Sequence, residues 1–249
     1  MEASIPSAVS AADAPRPPDL TFSLESAAAI EYAVVPTLGF KLLIERVGGG
    51  PVRSIAFNAQ IRIAATRRSH DEATQVRLME LFGPAKQWSR SLTSLLWTNA
   101  SMNVPPFTDS TLVDLPVTCT YDFEVTATKY LQALEDGEVP IEMLFSGTIF
   151  YAAPDGRLQI AHVPWDKEAT FRLPIQVWKD MMDHYFPNSS WLRLRRDTFE
   201  RLYAYKARNM LMSWEDTLDS LLPAEVAVPA EVAAPEGTAD QGTNGSGHS

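Results

Sequence analysis

The sequence predicts an α+β protein that is mainly β: an antiparallel β-sandwich with one inserted helix and a C-terminal helical cap. Two observations carry this prediction. Before Trp165 apolar residues recur at period 2, the spacing of a strand with one buried face. After it they recur at helical spacing, and strands followed by helices argue against a β–α–β alternation.

The most informative alternation opens at Val117, where Cys119, Tyr121, Phe123 and Val125 interleave with Thr118, Thr120, Asp122 and Glu124, predicting a strand over 117–125. Ile141, Met143, Phe145, Gly147, Ile149 and Tyr151 repeat the pattern in a second strand. Upstream, Leu20–Leu24 begins a first strand. Leu38, Phe40, Leu42 and Ile44 then alternate up to Gly48-Gly49-Gly50-Pro51, and Ile55, Phe57, Ala59, Ile61 and Ile63 alternate beyond it. Strand, Gly-rich turn and strand predict a hairpin. Ser69 and Glu72 stand at capping-box spacing before an apolar stripe of Leu78, Leu81 and Phe82, and Gly83-Pro84 closes that inserted helix.

A further strand spans Leu95 to Val104, and Thr128–Leu134 supplies a turn or two of helix with Asp136-Gly137 as its exit. Pro154-Asp155-Gly156 is a tight turn that should pair the strand over 139–152 with Leu158–Val163. Behind Pro174, Trp178, Met181, Met182 and Tyr185 form a helical stripe that Pro187 ends. Asp197 with Glu200 and Ser213 with Asp216 mark the starts of two more helices, the last ending at Leu221-Leu222.

Three segments follow from composition. Residues 1–18, rich in Ala, Ser and Pro, are expected to form a disordered N-terminal tail, residues 19–222 a single globular domain, and residues 223–249 a disordered acidic tail. The net charge is −10, of which residues 223–249 hold four negative charges and no positive one. The body is therefore only moderately acidic, and without a basic face nucleic acid is disfavoured as a partner. No stretch approaches 18 uninterrupted apolar residues and no signal peptide opens the chain, so neither a membrane nor export is expected and a cytoplasmic location is. The single cysteine, Cys119, excludes an internal disulfide and reads as a small buried hydrophobe.

The search for chemistry yields no catalytic residues, metal ligands or cofactor. No Gly-x-Ser-x-Gly elbow is present, and Gly48-Gly49-Gly50 lacks the Lys and the helix of a phosphate loop. His70, His162, His184 and His248 share no metal-ligand spacing, and Glu135, Asp136 and Glu138 read as loop charges. The residues most open to a functional reading are the aromatic and arginine side chains near the helical end. Trp165, Trp191, Arg193, Arg195 and Arg196 have the composition of a protein-binding hot spot, although rings there also serve to cement helices onto a sheet. The expected function is a non-catalytic accessory or interaction protein. The alternative is a small-ligand-binding protein or enzyme with a pocket between sheet and helical cap, using Asp122, Glu124, His162 and Asp166.

The segments LFGPAKQW (81–88), SLLWTN (94–99), VDLPVTCTYDFEV (113–125), KYLQALEDGEVPIEMLFSGTIFY (129–151), VPWDKEATFRLPIQVW (163–178), HYFP (184–187) and YKAR (205–208) resemble an uncharacterised, mainly actinobacterial family of unknown function. The resemblance covers roughly 19–222. Members of that family lie beside genes of uptake nickel–iron hydrogenases, which implies a hydrogenase or its maturation factors as the protein partner. The chain lacks the paired Cys-x-x-Cys motifs of a redox subunit. More faintly, FRLPIQVWKDMMDHYFP and LRLRRDTFERLYAYK resemble in spacing the C-terminal helices of the export chaperone SecB.

Overall fold

A computed structural model describes residues 16–122, 125–189 and 192–222, in two compact units divided between Arg193 and Leu194. The first holds eight strands in two antiparallel sheets. Three strands, β1 (Leu20–Ala29), β2 (Thr37–Arg46) and β5 (Ser110–Thr118), form sheet A in the order β1-β2-β5. Sheet B has the order β4-β3-β6-β7, built from β3 (Val52–Ile63), β4 (Leu95–Val104), β6 (Glu138–Ala152) and β7 (Leu158–His162). The eighth strand, β8 (Glu168–Pro174), pairs with the first half of β6 on the side that β7 takes along its second half.

The period-2 pattern explains the sandwich. Leu38, Phe40, Leu42 and Ile44 of sheet A and Ile55, Phe57, Ala59, Ile61 and Ile63 of sheet B are all buried, while the residues between them are mostly more exposed. Rings bridge the layers: Phe22 lies 4.8 Å from Phe145 and 5.6 Å from Phe57 between centroids, and Phe40 meets Phe171 edge-on at 5.9 Å. The turn at 154–156 joins β6 to β7 as the sequence predicts, with Thr148 opposite His162 and Ala152 opposite Leu158.

Several local expectations are corrected. The strands on either side of the glycine turn do not form a hairpin. β2 pairs with β1 and β5, β3 with β4 and β6, and Gly48–Pro51 carries the chain from one sheet to the other. Alternation sets which face of each strand is buried but not which strand lies beside it. The strand predicted over 117–125 runs instead from Ser110 to Thr118, buried at Val113, Leu115 and Val117. Beyond it Thr120 Oγ1 accepts from the Asp122 backbone N–H, residues 123 and 124 of the predicted strand lie outside the described residues, and α4 (Thr126–Ala133) follows. β8 lies in a stretch that carries no predicted strand.

The inserted helix breaks at Leu78 into α1 (Glu72–Arg77) and α2 (Met79–Phe82), followed by the short α3 (Trp88–Ser91). Its cap is Asp71, whose carboxylate accepts from Thr74 N–H at 2.6 Å, rather than Ser69. Helix α5 (Ile175–Tyr185) buries Trp178, Met181 and Met182 as its stripe predicts. In the second unit, α6 (Arg196–Arg208) follows Arg195 without a side-chain cap. Asp197 there receives Arg195 at 3.2 Å instead of closing a box with Glu200. Helix α7 (Trp214–Asp219) opens with the predicted Ser213–Asp216 capping box. The tails outside 16–222 lie beyond the described residues. Pro18, placed in the N-terminal tail from composition, is buried.

Candidate functional site

The connection between β1 and β2 is the least ordinary part of the surface. Its sequence, Ile30-Glu-Tyr-Ala-Val-Val-Pro36, lacks the Gly, Asn or Asp that commonly turns a hairpin. Tyr32 takes the turn itself, at φ 59°, a conformation costly for a residue with a Cβ. Tyr32 and Val34 are 98% and 97% exposed. The loop is nevertheless held at several points. Ile30 N–H donates to Thr37 O at 2.8 Å, Thr37 Oγ1 to Val35 O at 2.9 Å, and Cys119 N–H to Pro36 O at 2.8 Å. From α5, Tyr185 Oη donates to Ala33 O at 2.6 Å.

Two clefts flank this loop, both within the first unit. One, of about 560 Å³, runs over the end of β5, with Val35 and Pro36 on one side and Phe186, Leu192 and Arg193 on the other. Tyr121 and Phe186 stack at 4.9 Å within it, and Asp122 and Arg193 are its charged residues among those described. The second, of about 630 Å³, lies between residues 27–33 and α5, where Asp180, Met181 and His184 face it. Cys119 lines the first cleft. Burial pushes its thiol up to about 12, which keeps it protonated and unsuited to nucleophilic work.

The other polar cluster surrounds the inserted helices. His70 Nε2 lies 2.9 Å from the hydroxyl of the fully buried Tyr130, and the His70 ring meets Trp88 edge-on at 5.3 Å. Burial, with the Arg68 guanidinium beside it, holds the His70 imidazole below its ordinary range against the opposing pull of Asp71. Arg68 itself donates to the carbonyls of Asp136 and Glu138, tying 68–70 to the start of β6. Among the described residues no buried side-chain polar atom lacks a hydrogen-bond partner, and this cluster, bonded within the fold, reads as an internal strut.

The residues singled out from sequence are distributed as follows. Arg193 and Asp122 share the first cleft. Trp165 stands 91% exposed in the turn between β7 and β8, with Asp166 beside it and His162 at the end of β7. Arg195 and Arg196 belong to the second unit, where Arg195 is paired with Asp197. Trp191 and Glu124 lie outside the described residues. The sequence reading missed Tyr32 and Val34. The signal that marks them is a largely apolar connection between two strands that holds no Gly, Asn or Asp to turn it. Among the described residues, no group of three His, Cys, Asp or Glu side chains is placed to hold a metal ion, and no helix is long and apolar enough to cross a membrane.

The fold and site define a two-sheet antiparallel sandwich that presents a pinned apolar loop between clefts. The chain belongs to DUF6084, a family of unknown function, which it matches over residues 17–229. No curated protein matches it in sequence. Among solved structures it shows similarity to the CARDB domain of a Pyrococcus furiosus protein in complex with di-metal ions, at 13% identity and a TM-score of 0.25, over 63% of this chain and 87% of that one. A putative ApaA protein from Bordetella pertussis is similar at 11% identity and a TM-score of 0.21, over 64% of this chain and 94% of that one. A β-glucosidase 3B from Thermotoga neapolitana in complex with α-D-glucose gives 14% identity and a TM-score of 0.23, over 62% and 17% of the two chains. Similarities this low assign no function.

Proposed function

We propose that the protein is a non-catalytic accessory protein that binds a partner protein through the β1–β2 loop and the clefts beside it. The observation that carries this reading is Tyr32 and Val34, almost wholly exposed on a loop held by four hydrogen bonds. Apolar side chains held out in water do nothing for the stability of the fold. They are the kind of preorganised anchor that hot spots use, and prior ordering lowers the entropy lost on binding. The resemblance of the sequence to hydrogenase-neighbouring proteins supports a nickel–iron hydrogenase or one of its maturation factors as the partner. Affinity capture from the native cells tests this. The full chain should enrich hydrogenase components, and Tyr32→Ser with Val34→Ser should lose them without lowering the melting temperature. Equal enrichment by the double variant defeats the loop assignment. No enrichment, with hydrogen uptake unchanged on deleting the gene, defeats the partner.

A second reading follows from the first cleft, whose volume falls in the range of small-molecule sites and whose apolar walls carry Asp122 and Arg193. An apolar carboxylate that raises the melting temperature of the native chain but not of Arg193→Ala selects this reading.

A further inference from the structure

Strand β7 is the open edge of sheet B. The edges of sheet A are flanked, β1 by β8 and β5 by β4. No strand pairs with the far side of β7 among the described residues. In an antiparallel pair, residues alternate between those that bond across the pair and those whose N–H and C=O point away. Val163 N–H donates to Gly147 O and Ala153 N–H to Arg157 O, so the bonded positions of β7 are its odd-numbered ones. The backbone groups of Leu158, Ile160 and His162 therefore point outward from the sheet edge.

The charged and proline side chains that protect such an edge are missing from the strand. Leu158–His162 contains no Lys, Arg, Asp, Glu or Pro. Leu158 and Ile160 are each 61% exposed on the outer face, where Ile160 sits opposite Phe150 of β6. Arg157, just outside the strand, is engaged by Asp155 of its own turn at 3.2 Å.

We propose that β7 is where two copies of this chain pair, antiparallel, about a two-fold axis through Ile160. The edge is self-complementary under that operation. Residue 160 faces its own copy, Leu158 faces His162 of the other chain, and all three outward donors and acceptors of each copy find partners, six hydrogen bonds in all. The pairing opposes no two like charges. It also extends the cross-strand row Phe150–Ile160 into a continuous apolar row over four strands. Three facing residues per copy cover much less than the roughly 800 Å² per partner of a standard interface, so the association is reversible and grows with concentration.

Sedimentation equilibrium on the full chain from about 1 μM to about 1 mM, the range where weak complexes form, tests the proposal. The native chain should pass from monomer to dimer. Ile160→Lys and Ile160→Glu each put like charges face to face across the axis and should weaken association at least about tenfold. An equimolar mixture of the two variants should restore it, because the charges then attract, and that restoration also establishes that neither variant is misfolded. A native chain that stays monomeric throughout, variants that dimerise like the native chain, or a mixture that fails to associate each overturns the proposal.

Discussion

Single residues carry constraints that their type alone does not reveal. Gly147 occupies an apolar position in the alternation of β6, yet its φ is 151° and an added Cβ would lie 2.2 Å from the Ala56 carbonyl oxygen of β3. Gly147→Ala should therefore strain the centre of sheet B by about 1–3 kcal/mol. In a chain of this size that lowers the melting temperature by roughly 2–4 °C for each kcal/mol, which calorimetry would register. His70 titrates with a sign that can be worked out. Its folded value lies below the ordinary 6.5, so the unfolded chain takes up the proton first. The stability it contributes is complete above about pH 6.5 and is lost as pH falls toward the folded value. His70→Gln should flatten the fall in melting temperature between about pH 7.5 and about pH 5.5; an unchanged slope would place the titrating group elsewhere. Cys119, buried with its pKa at about 12, should resist thiol reagents until the chain unfolds.

At the scale of elements, face and partner are separate questions. Alternation in β2 and β3 identifies which side chains are buried because burial is a local consequence of the pleat. Pairing depends on contacts distant in sequence, so the glycine turn at 48–51 looks the same whether it closes a hairpin or crosses between sheets. β8 was illegible for a related reason: Glu168–Pro174 is short and follows a Pro-Trp-Asp-Lys turn, so its alternation of Ala169, Phe171 and Leu173 is too brief to stand out. Helices were more legible. Their stripe is local, and the N-cap lies at Asp71, reaching the Thr74 N–H, two residues beyond the predicted Ser69, which would have reached Glu72. The face assignment in β3 is testable side by side. Phe57→Asp places an unpaired charge among Phe22 and Phe145 and should unfold the sandwich, since the several kcal/mol lost rival the whole stability of a domain. Asn58→Asp, exposed and accepting a hydrogen bond from Ser101 Oγ, should change the melting temperature little. Equal effects would mean that the face assignment is wrong.

For the molecule as a whole, the candidate site was legible in part. Arg193 and Asp122 could be named from sequence, but their meeting in one cleft depends on where the chain returns after α5, and Tyr32 stands out only once its exposure is known. The limits of the folded body are likewise set by contacts that composition cannot reveal. Pro17 and Pro18 look like tail. Yet Pro18 is buried, the position a Gly49 Cβ would take lies 2.6 Å from the Pro18 backbone, and Asp19 accepts Val47 N–H and pairs with Lys167 Nζ at 2.8 Å. Residues 17–20 thus latch the entry of β1 onto the crossing between the sheets. Two shortened chains separate tail from latch. Residues 1–15 and 223–249 hold few large apolar side chains, so a chain spanning 16–222 should melt within about 2 °C of the full sequence. One starting at residue 19 loses the buried Pro18 as well, about 1 kcal/mol of apolar contact, and should melt a further 2–4 °C or so lower. Identical melting of the two would remove the latch from the account, while a fall of about ten degrees already in the longer one, several kcal/mol for a chain of this size, would place the tails within the fold.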